Sequence, residues 1–412
     1  MRRQHVRFNE KEQSIPKQLH STAKEQERAY LVGVQRNSER ERWRAEGSLD
    51  ELGLLAETAG AEVIGRTLQR LDAPHPATYV GKGKVEELKA LRGEDGGYDI
   101  AIFDEELSPS QQQHLEDALG LKVLDRTALI LDIFAMRART REGRLQVELA
   151  QSEYLLPRLK GQWSHLERLG GRSGAPGAIG VRGPGETQIE TDRRLVRKKI
   201  DKLKAQIEQV RTQRSLYRRR REREGVPVVA LVGYTNAGKS TLMRAMTRDQ
   251  DVFVQDRLFA TLDPLTRRIH LDDTHAALLT DTVGFIQKLP TQLVAAFRAT
   301  LEELADASVL LHVVDITHRD AAGQSQTVEN TLRDLGLADK PRVTALNKID
   351  RMPDADGNLP NSPLELAYYQ ESLAAAWPEA VLVSAEKRWN VELLRARLVE
   401  VLDRASVGTT AT

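Results

Sequence analysis

Two α/β units with parallel sheets, joined by a basic helical region, are what this sequence predicts. Three observations carry the prediction. Strand-like and helix-like stretches alternate over residues 28–130, and they alternate again from residue 226. Between them, apolar residues recur at helical spacing in a field of Lys and Arg. At 412 residues the chain has room for two or three domains. The expected division is a flexible tail over 1–27, an N-terminal α/β domain over 28–160 and a Gly-rich loop with a basic helical region over 161–225. A second α/β domain over 226–405 and a tail over 406–412 complete it.

The elements follow in order. Residues 1–25 are charged, with few apolar residues and no period, and read as a mobile tail. Residues 29–34 read as a strand, Leu52, Leu55 and Ala59 as one helix face, and 61–68 as a second strand. A helix over 85–92 and a strand over 99–103 come next. Ser108 followed by Pro109 opens another helix. The hydroxyl can accept from an orphan N–H of the first turn, and proline lacks an N–H that would go unsatisfied there. Residues 121–124 form the next strand, and 127–159 read as largely helical with Gly143 as an interruption.

Gly170, Gly171, Gly174, Gly177, Gly180, Gly183 and Gly185 then exclude an ordinary helix or strand. The stretch is either a flexible linker or an ordered loop that presents backbone to a partner. Beyond it, Ile189, Leu195, Ile200, Leu203, Ile207 and Val210 make one apolar seam, on one long helix or on two antiparallel ones. Residues 228–232 are an apolar, β-branched strand. Further strands are expected around Arg267, Leu279, Leu311, Thr344 and Leu382, and helices around Ala295, Val328, Leu366 and Leu394.

Charge is unevenly spread. The chain has 61 Lys and Arg against 60 Asp and Glu, a net +1, yet residues 158–225 alone hold 19 against 8. An excess of +11 beside a glycine-rich stretch, ending in Arg218, Arg219, Arg220 and Arg221, points to RNA phosphates as a partner. Cysteine is absent, which excludes a disulfide scaffold, thiol catalysis and Cys-ligated zinc, and suits a reducing compartment. No apolar run approaches the ~18 residues of a membrane helix. The nearest, 128–136 and 309–314, are broken by Asp132 and His312. A cytoplasmic monomer without a membrane span is expected.

Three motifs carry chemistry. Gly233, Tyr234, Thr235, Asn236, Ala237, Gly238, Lys239 and Ser240 fit GxxxxGK(S/T), between a buried strand and a helix that Thr241 continues. Glycines let the backbone curl so that its N–H groups face a phosphate, and the helix N-terminus adds a favourable dipole. Lys239 would reach the β- and γ-phosphates, and the Ser240 hydroxyl would hold Mg2+. Asp281, Thr282, Val283 and Gly284 end an apolar strand 42 residues after Lys239. An acid there can hold magnesium, and Gly284 leaves an N–H free for the γ-phosphate. Asn347, Lys348, Ile349 and Asp350 follow the strand over 342–346. A carboxylate at Asp350 accepts from both N1–H and the 2-amino group of guanine. Adenine would leave it facing an unpaired acceptor. Ser384, Ala385 and Glu386 end the last strand, where loop backbone could touch the guanine O6. GTP is therefore the expected substrate and GDP the expected product.

In order and spacing these motifs resemble those of a Ras-like GTPase domain of the translation-factor class. On that resemblance Thr261, with Phe259 and Ala260 before it, is the switch threonine that contacts magnesium and γ-phosphate in the triphosphate state. Lys239, Thr261 and Gly284 are then the residues expected to act on the reacting phosphate. Ras-like enzymes place a water-orienting Gln after DxxG. Here that position is Phe285, which can neither donate nor accept, so a partner is expected to complete the site.

The stretch RGPGETQIETDRR at 182–194 resembles the signature of the HflX family of bacterial GTPases. YVGKGK at 79–84, FDE at 103–105, LDRT at 124–127, QVELA at 146–150 and FATLDP at 259–264 agree with it. The resemblance covers about 28–405. It implies an N-terminal nucleotide-binding-like domain, a helical linker, a Ras-like GTPase domain and association with the large ribosomal subunit and its rRNA. In some members stalled ribosomes are separated into subunits. It also implies ATP at the N-terminal domain and, in some members, RNA remodelling. An ATP-driven remodelling protein with a regulatory GTPase domain, and a nucleotide-gated ribosome anchor, are the alternative functions. Within the N-terminal domain, Gly81, Lys82, Gly83 and Lys84 are either a phosphate contact or a polar turn before a helix. Arg126, Arg139 and Arg141 either line a nucleotide or RNA site or are helix-surface charges.

Overall fold

The computed structural model describes residues 26–36, 42–93, 97–170, 184–247, 258–288, 293, 304–354 and 356–409. The tail over 1–25, the glycines between 171 and 183 and the helix expected around Ala295 lie outside the described residues.

The first unit runs β1 (Arg28–Arg36), α1 (Arg42–Ala59), β2 (Glu62–Leu71), α2 (Lys82–Gly93), β3 (Ile100–Phe103), α3 (Pro109–Leu119), β4 (Lys122–Asp125) and α4 (Arg126–Arg137). Its strands lie in the order β2-β1-β3-β4, all parallel. The sequence of β3, Ile-Ala-Ile-Phe, is apolar throughout because helices cover both faces of a parallel sheet. Edge strand β2 has no fully buried residue. Helix α3 begins where the Ser-Pro pair predicts. Ser108 Oγ accepts from the Gln111 N–H, the Gln111 side chain accepts from the Ser108 N–H, and Gly120 closes the helix at φ 66°.

Helices α5 (Arg141–Gly170) and α6 (Pro184–Glu224) form an antiparallel pair. Glu142 meets Arg214, and Glu153 meets Lys204, so residue numbers run in opposite senses along the two. Leu149 packs against Ile200 and Leu203, with Val196 and Ile207 at the margin. The apolar seam of α6 is therefore covered by α5 and not by a second half of its own length. Leu195, expected in that seam, is exposed, and Val196 takes its place. The junction expected at 160/161 falls inside α5. Gly170 and Gly185, expected outside regular structure, lie at the facing ends of the two helices, where a glycine costs a helix least. Gly143 does not interrupt the helix. The break is at residues 138–140, and Gly143 lies in the first turn of α5, where its N–H donates to the capping Thr140 hydroxyl at 2.9 Å.

The second unit runs β5 (Val228–Gly233), α7 (Lys239–Thr247), β6 (Leu265–His270), β7 (Ala276–Asp281), β8 (Val309–Asp315), α8 (Ala321–Asp334), β9 (Arg342–Asn347), α9 (Leu366–Leu373), β10 (Val381–Leu382) and α10 (Val391–Thr409). The order is β10-β9-β8-β5-β7-β6, parallel except for β6 against β7. Parallel strands put the ends of β5, β7 and β9 on one edge, where α/β sheets hold ligands. Helix α10 runs to Thr409, so residues 406–409, expected in the tail, continue the helix.

One apolar cluster spans both units. Leu31, Ile102 and Phe134 of the first are continuous with Tyr234, Phe259, Phe285 and Ile286 of the second. Phe134 and Phe259 meet edge to face at 4.6 Å, a geometry that aromatic quadrupoles favour. Among the described residues no helix is long and apolar enough to cross a membrane.

Candidate functional site

The phosphate loop leaves the end of β5 and enters α7. Gly233 (φ 151°), Asn236 (φ 59°) and Gly238 (φ 91°) all take positive φ, which coils the backbone between them. A side chain at Gly233 would collide with the Val313 carbonyl, and one at Gly238 with the Asn347 amide. Lys239, buried, donates to the Gly233 carbonyl at 3.1 Å and the Tyr234 carbonyl at 2.7 Å. Burial draws its pKa down to about 8, with Asp281 opposing and Lys348 adding to the shift.

Residues far apart in sequence converge beside it. Ser240 Oγ and Thr261 Oγ1 are 2.9 Å apart, and both reach Asp281 Oδ2, at 2.6 and 2.8 Å. Asp281 Oδ1 is buried and has no hydrogen-bond partner. Burial raises the Asp281 pKa, against the pull of Ser240, Lys239 and Thr261. Two hydroxyls and a carboxylate with an unsatisfied oxygen are hard oxygen donors, a set that fits Mg2+. Among the described residues there is no cluster of three His, Cys, Asp or Glu that would hold a softer metal. A cleft of about 50 Å³ runs along the loop, bounded by Thr235, Asn236, Gly238, Lys239, Ser240 and Thr241, by Phe259, Ala260 and Thr261, and by Thr282 and Gly284.

At the carboxyl end of β9, Asn347 ties two loops together. Its Nδ2 donates to the Ala237 carbonyl at 2.9 Å, and its Oδ1 accepts from the Ala385 N–H at 3.0 Å. Lys348 sits at φ 67° with its ammonium 2.7 Å from Asp315. Asp350 lies in the short turn Ile349–Arg351. Ser384 is fully buried and its hydroxyl accepts from the Lys387 N–H, while Glu386 is exposed and pairs with Arg244 at 3.5 Å.

Phe285 is 3% exposed and its ring packs into the shared core. Its backbone is bound to the phosphate loop instead. Its N–H donates to the Gly233 carbonyl at 3.0 Å, and its carbonyl accepts from the Thr235 N–H at 2.7 Å.

The structure adds Glu51, Gln287 and Lys288, which no sequence motif marks, and gives Tyr234, Asp104, Glu105 and Asp263 partners that their motifs do not disclose. The Tyr234 phenol donates to Glu51 of α1 and accepts from the Gln287 N–H at 2.9 Å. Burial, then the Glu51 charge, pushes its pKa far up. Lys288 pairs with Asp104 and with Glu105, the latter at 2.6 Å. Asp263 accepts from the Arg139 and Thr140 N–H groups, both at 2.9 Å, at the start of α5. A Cβ at Gly143 would clash with that carboxylate, which explains the glycine. Apart from Tyr234 and Gln287, which are 53 positions apart, these partners stand more than 120 positions apart, so no local pattern points to them.

Arg126 corrects an expectation. It is neither a surface charge nor the lining of an open site, but 1% exposed and held by Glu51 and Asp104, the latter at 2.7 Å. Burial alone would lower its pKa; the two carboxylates overcome that and raise it. Arg139 and Arg141 are exposed, as surface charges would be. Of the 81–84 stretch, Lys82, Gly83 and Lys84 form the first turn of α2 itself and not a turn before it; the Gly81 N–H is bound by Gln69 at 2.9 Å, and Lys84 is paired with Glu87 at 2.6 Å. A larger cavity of about 150 Å³ lies behind the loop, between α1 and the residues after β8. The polar groups around it, including Asp50, Glu51, Asp315 and Arg319, already have protein partners, so the smaller cleft is the better phosphate site.

Comparison with known proteins fits this geometry. Residues 46–135 match a family described as GTP-binding GTPase N-terminal, 137–221 its Middle Region, and 228–348 a 50S ribosome-binding GTPase family. The GTPase HflX of Caldanaerobacter subterraneus subsp. tengcongensis is 50% identical over 332 residues, 81% of this chain and 74% of that protein. That of Alkalihalophilus pseudofirmus is 48% identical over 351 residues, 85% and 81% of the two chains. A GTP-binding protein from Sulfolobus solfataricus, solved in complex with GDP, aligns at 25% identity and a TM-score of 0.44, covering 92% of this chain and 99% of its own. Relatives of the identity and coverage of the two GTPases establish that the chain belongs to the HflX family of GTPases and is an enzyme that hydrolyses GTP.

Proposed function

We propose that this chain is a magnesium-dependent GTP hydrolase whose GTP state binds the large ribosomal subunit and separates stalled ribosomes into subunits. The observation that carries the reading is the meeting of Ser240, Thr261 and Asp281 beside Lys239. Magnesium held there would neutralise charge on the β- and γ-phosphates. Lys239 stabilises the same charge from the loop side, and the Gly284 N–H faces the γ-phosphate. Asp350 reads the guanine edge, with Asn347 holding the loops that frame it. Hydrolysis is in-line attack by water, driven by positioning and electrostatics. With Phe285 buried, no side chain at that position orients the water, so a partner supplies that group.

Support for the ribosome as that partner is the match of 228–348 to a 50S ribosome-binding GTPase family and the +11 excess over 158–225. The described residues of the N-terminal domain do not favour ATP there. Arg126 and Lys84, two of the cations that would have to serve it, are bound to carboxylates.

The test is GTP turnover at physiological magnesium, with and without purified large subunits, beside an ATP control. A stimulation of at least tenfold that is specific to GTP supports the reading; equal hydrolysis of ATP without stimulation rejects it in favour of an ATP-driven remodeller. Subunit separation is then scored with a non-hydrolysable analogue. Separation with the analogue assigns splitting to binding and hydrolysis to release. No separation under either condition leaves a nucleotide-gated anchor.

A further inference from the structure

The segment after Asp281 is drawn down onto the phosphate loop. Gly284 stands so close to the Lys239 ammonium that a Cβ there would lie 2.9 Å from Nζ and 2.9 Å from the Thr235 Cα. Phe285 is hydrogen-bonded to Gly233 and Thr235 through both sides of its peptide backbone. Lys239 is satisfied by two loop carbonyls. A γ-phosphate that accepts from Lys239 and from the Gly284 N–H has to stand between them, so its arrival requires Gly284 and Phe285 to withdraw.

What holds the segment down comes from the other domain. Lys288 is paired with Asp104 and Glu105 at the carboxyl end of β3. The Gln287 N–H is bound by the Tyr234 phenol, which Glu51 holds in turn. Arg126, buried between Glu51 and Asp104, fixes both carboxylates. Lys288 adopts φ 53°, a left-handed backbone that persists in a non-glycine residue where its contacts over-determine it.

We propose that Asp104, Glu105 and Glu51 of the N-terminal domain set the preference of the site between GDP and GTP, by holding Lys288 and Gln287, and with them Gly284, against the phosphate loop. GDP leaves the hold intact, whereas GTP has to break it. Specificity is a difference of affinities, and here the unfavourable element is mounted on another domain. By linkage, GTP weakens the grip of that domain on the segment by the same factor by which the grip weakens GTP. The carboxylates are positioning residues, since they act through Lys288 and Tyr234. The inference rests on the GTP site alone and not on the ribosomal partner.

The experiment is an equilibrium titration of the full chain with fluorescent GDP and a fluorescent non-hydrolysable GTP analogue at fixed magnesium. Lys288→Met removes the charge at a side chain one-third exposed. It is expected to tighten the GTP analogue at least fivefold and leave GDP within twofold. Lys288→Arg retains the wild-type ratio. Tyr234→Phe takes away the acceptor of the Gln287 amide, so it shifts the ratio the same way and speeds amide exchange over 284–288. A structural role alone would weaken both nucleotides together. Ratios within twofold of wild type in Lys288→Met, in protein with the wild-type unfolding midpoint, overturn the proposal, as does a parallel change in both affinities. Should Tyr234→Phe fail to fold, Lys288→Met decides the matter.

Discussion

At the scale of single residues, Asp350 and His312 show two different uses of a polar group. Asp350 is half-buried in a short turn after β9; in the proposed site its acceptors would match the two donors of guanine. Asp350→Asn is expected to weaken GTP about 100-fold in competition binding, roughly 3 kcal/mol for two mismatched hydrogen bonds. Xanthosine triphosphate, with a carbonyl where guanine has its amine, regains most of that loss. His312 is instead enclosed in β8, 2% exposed, with Nε2 unpartnered and Glu329 at 3.9 Å from Nδ1. Burial lowers its pKa to about 4; Glu329 opposes that shift, and Arg342 and Lys239 add to it. The unfolded chain takes up a proton near pH 6.5 and the folded chain does not, so stability is full above about 6.5 and falls as pH drops toward 4. The loss approaches about 3 kcal/mol. Urea unfolding between pH 4 and 7 is expected to show this slope in the wild type, and His312→Leu to flatten it.

At the scale of elements, the start of α5 is held by a residue of another unit. Asp263 accepts from the N–H groups of Arg139 and Thr140, which lead into the helix, and from the Thr140 hydroxyl, which in turn caps the Gly143 N–H of the first turn. Asp263→Ala is expected to lower stability by about 1 kcal/mol, as removal of a cap does, read as a shifted urea midpoint. Gly143→Ala is expected to cost a similar amount by expelling the carboxylate, although alanine is the better helix former. The contrast with α3 shows what a sequence makes legible. Ser108, Pro109 and Gln111 lie within four positions, so their cap can be anticipated from local chemistry. The phosphate loop is equally local. The convergence of Ser240, Thr261 and Asp281 requires knowing that β5 and β7 are neighbours, which alternation alone suggests but does not order. Asp263 at α5, Glu51 at Tyr234 and Asp104 at Lys288 depend on how two domains meet. That information is spread over an apolar cluster and has no periodic signature. Arg126 escapes sequence reading for the same reason: a buried arginine and an exposed one are identical letters until their carboxylates are placed.

At the scale of the whole molecule, charge and connectivity act together. If the basic region meets rRNA, replacing Arg218, Arg219, Arg220 and Arg221 with alanine should weaken ribosome binding uniformly and flatten its salt dependence. The slope of log K against log salt should fall by about 0.7–0.9 for each phosphate no longer neutralised. Pelleting with large subunits across a potassium chloride series measures it, with GTP turnover in the absence of ribosomes unchanged. The loop over 259–264 gives the molecule a mechanical property as well. Thr261 donates to Asp281 beside the phosphate loop, and two residues on Asp263 grips the base of α5. That helix has 30 residues and so reaches about 45 Å. It is anchored along that length as well, since Tyr154 and Arg158 bind Asp125 and Arg158 also donates to the Leu107 carbonyl. The 259–264 loop is thus a two-residue linkage, through which any displacement of Thr261 is passed by Asp263 to the backbone at the base of α5.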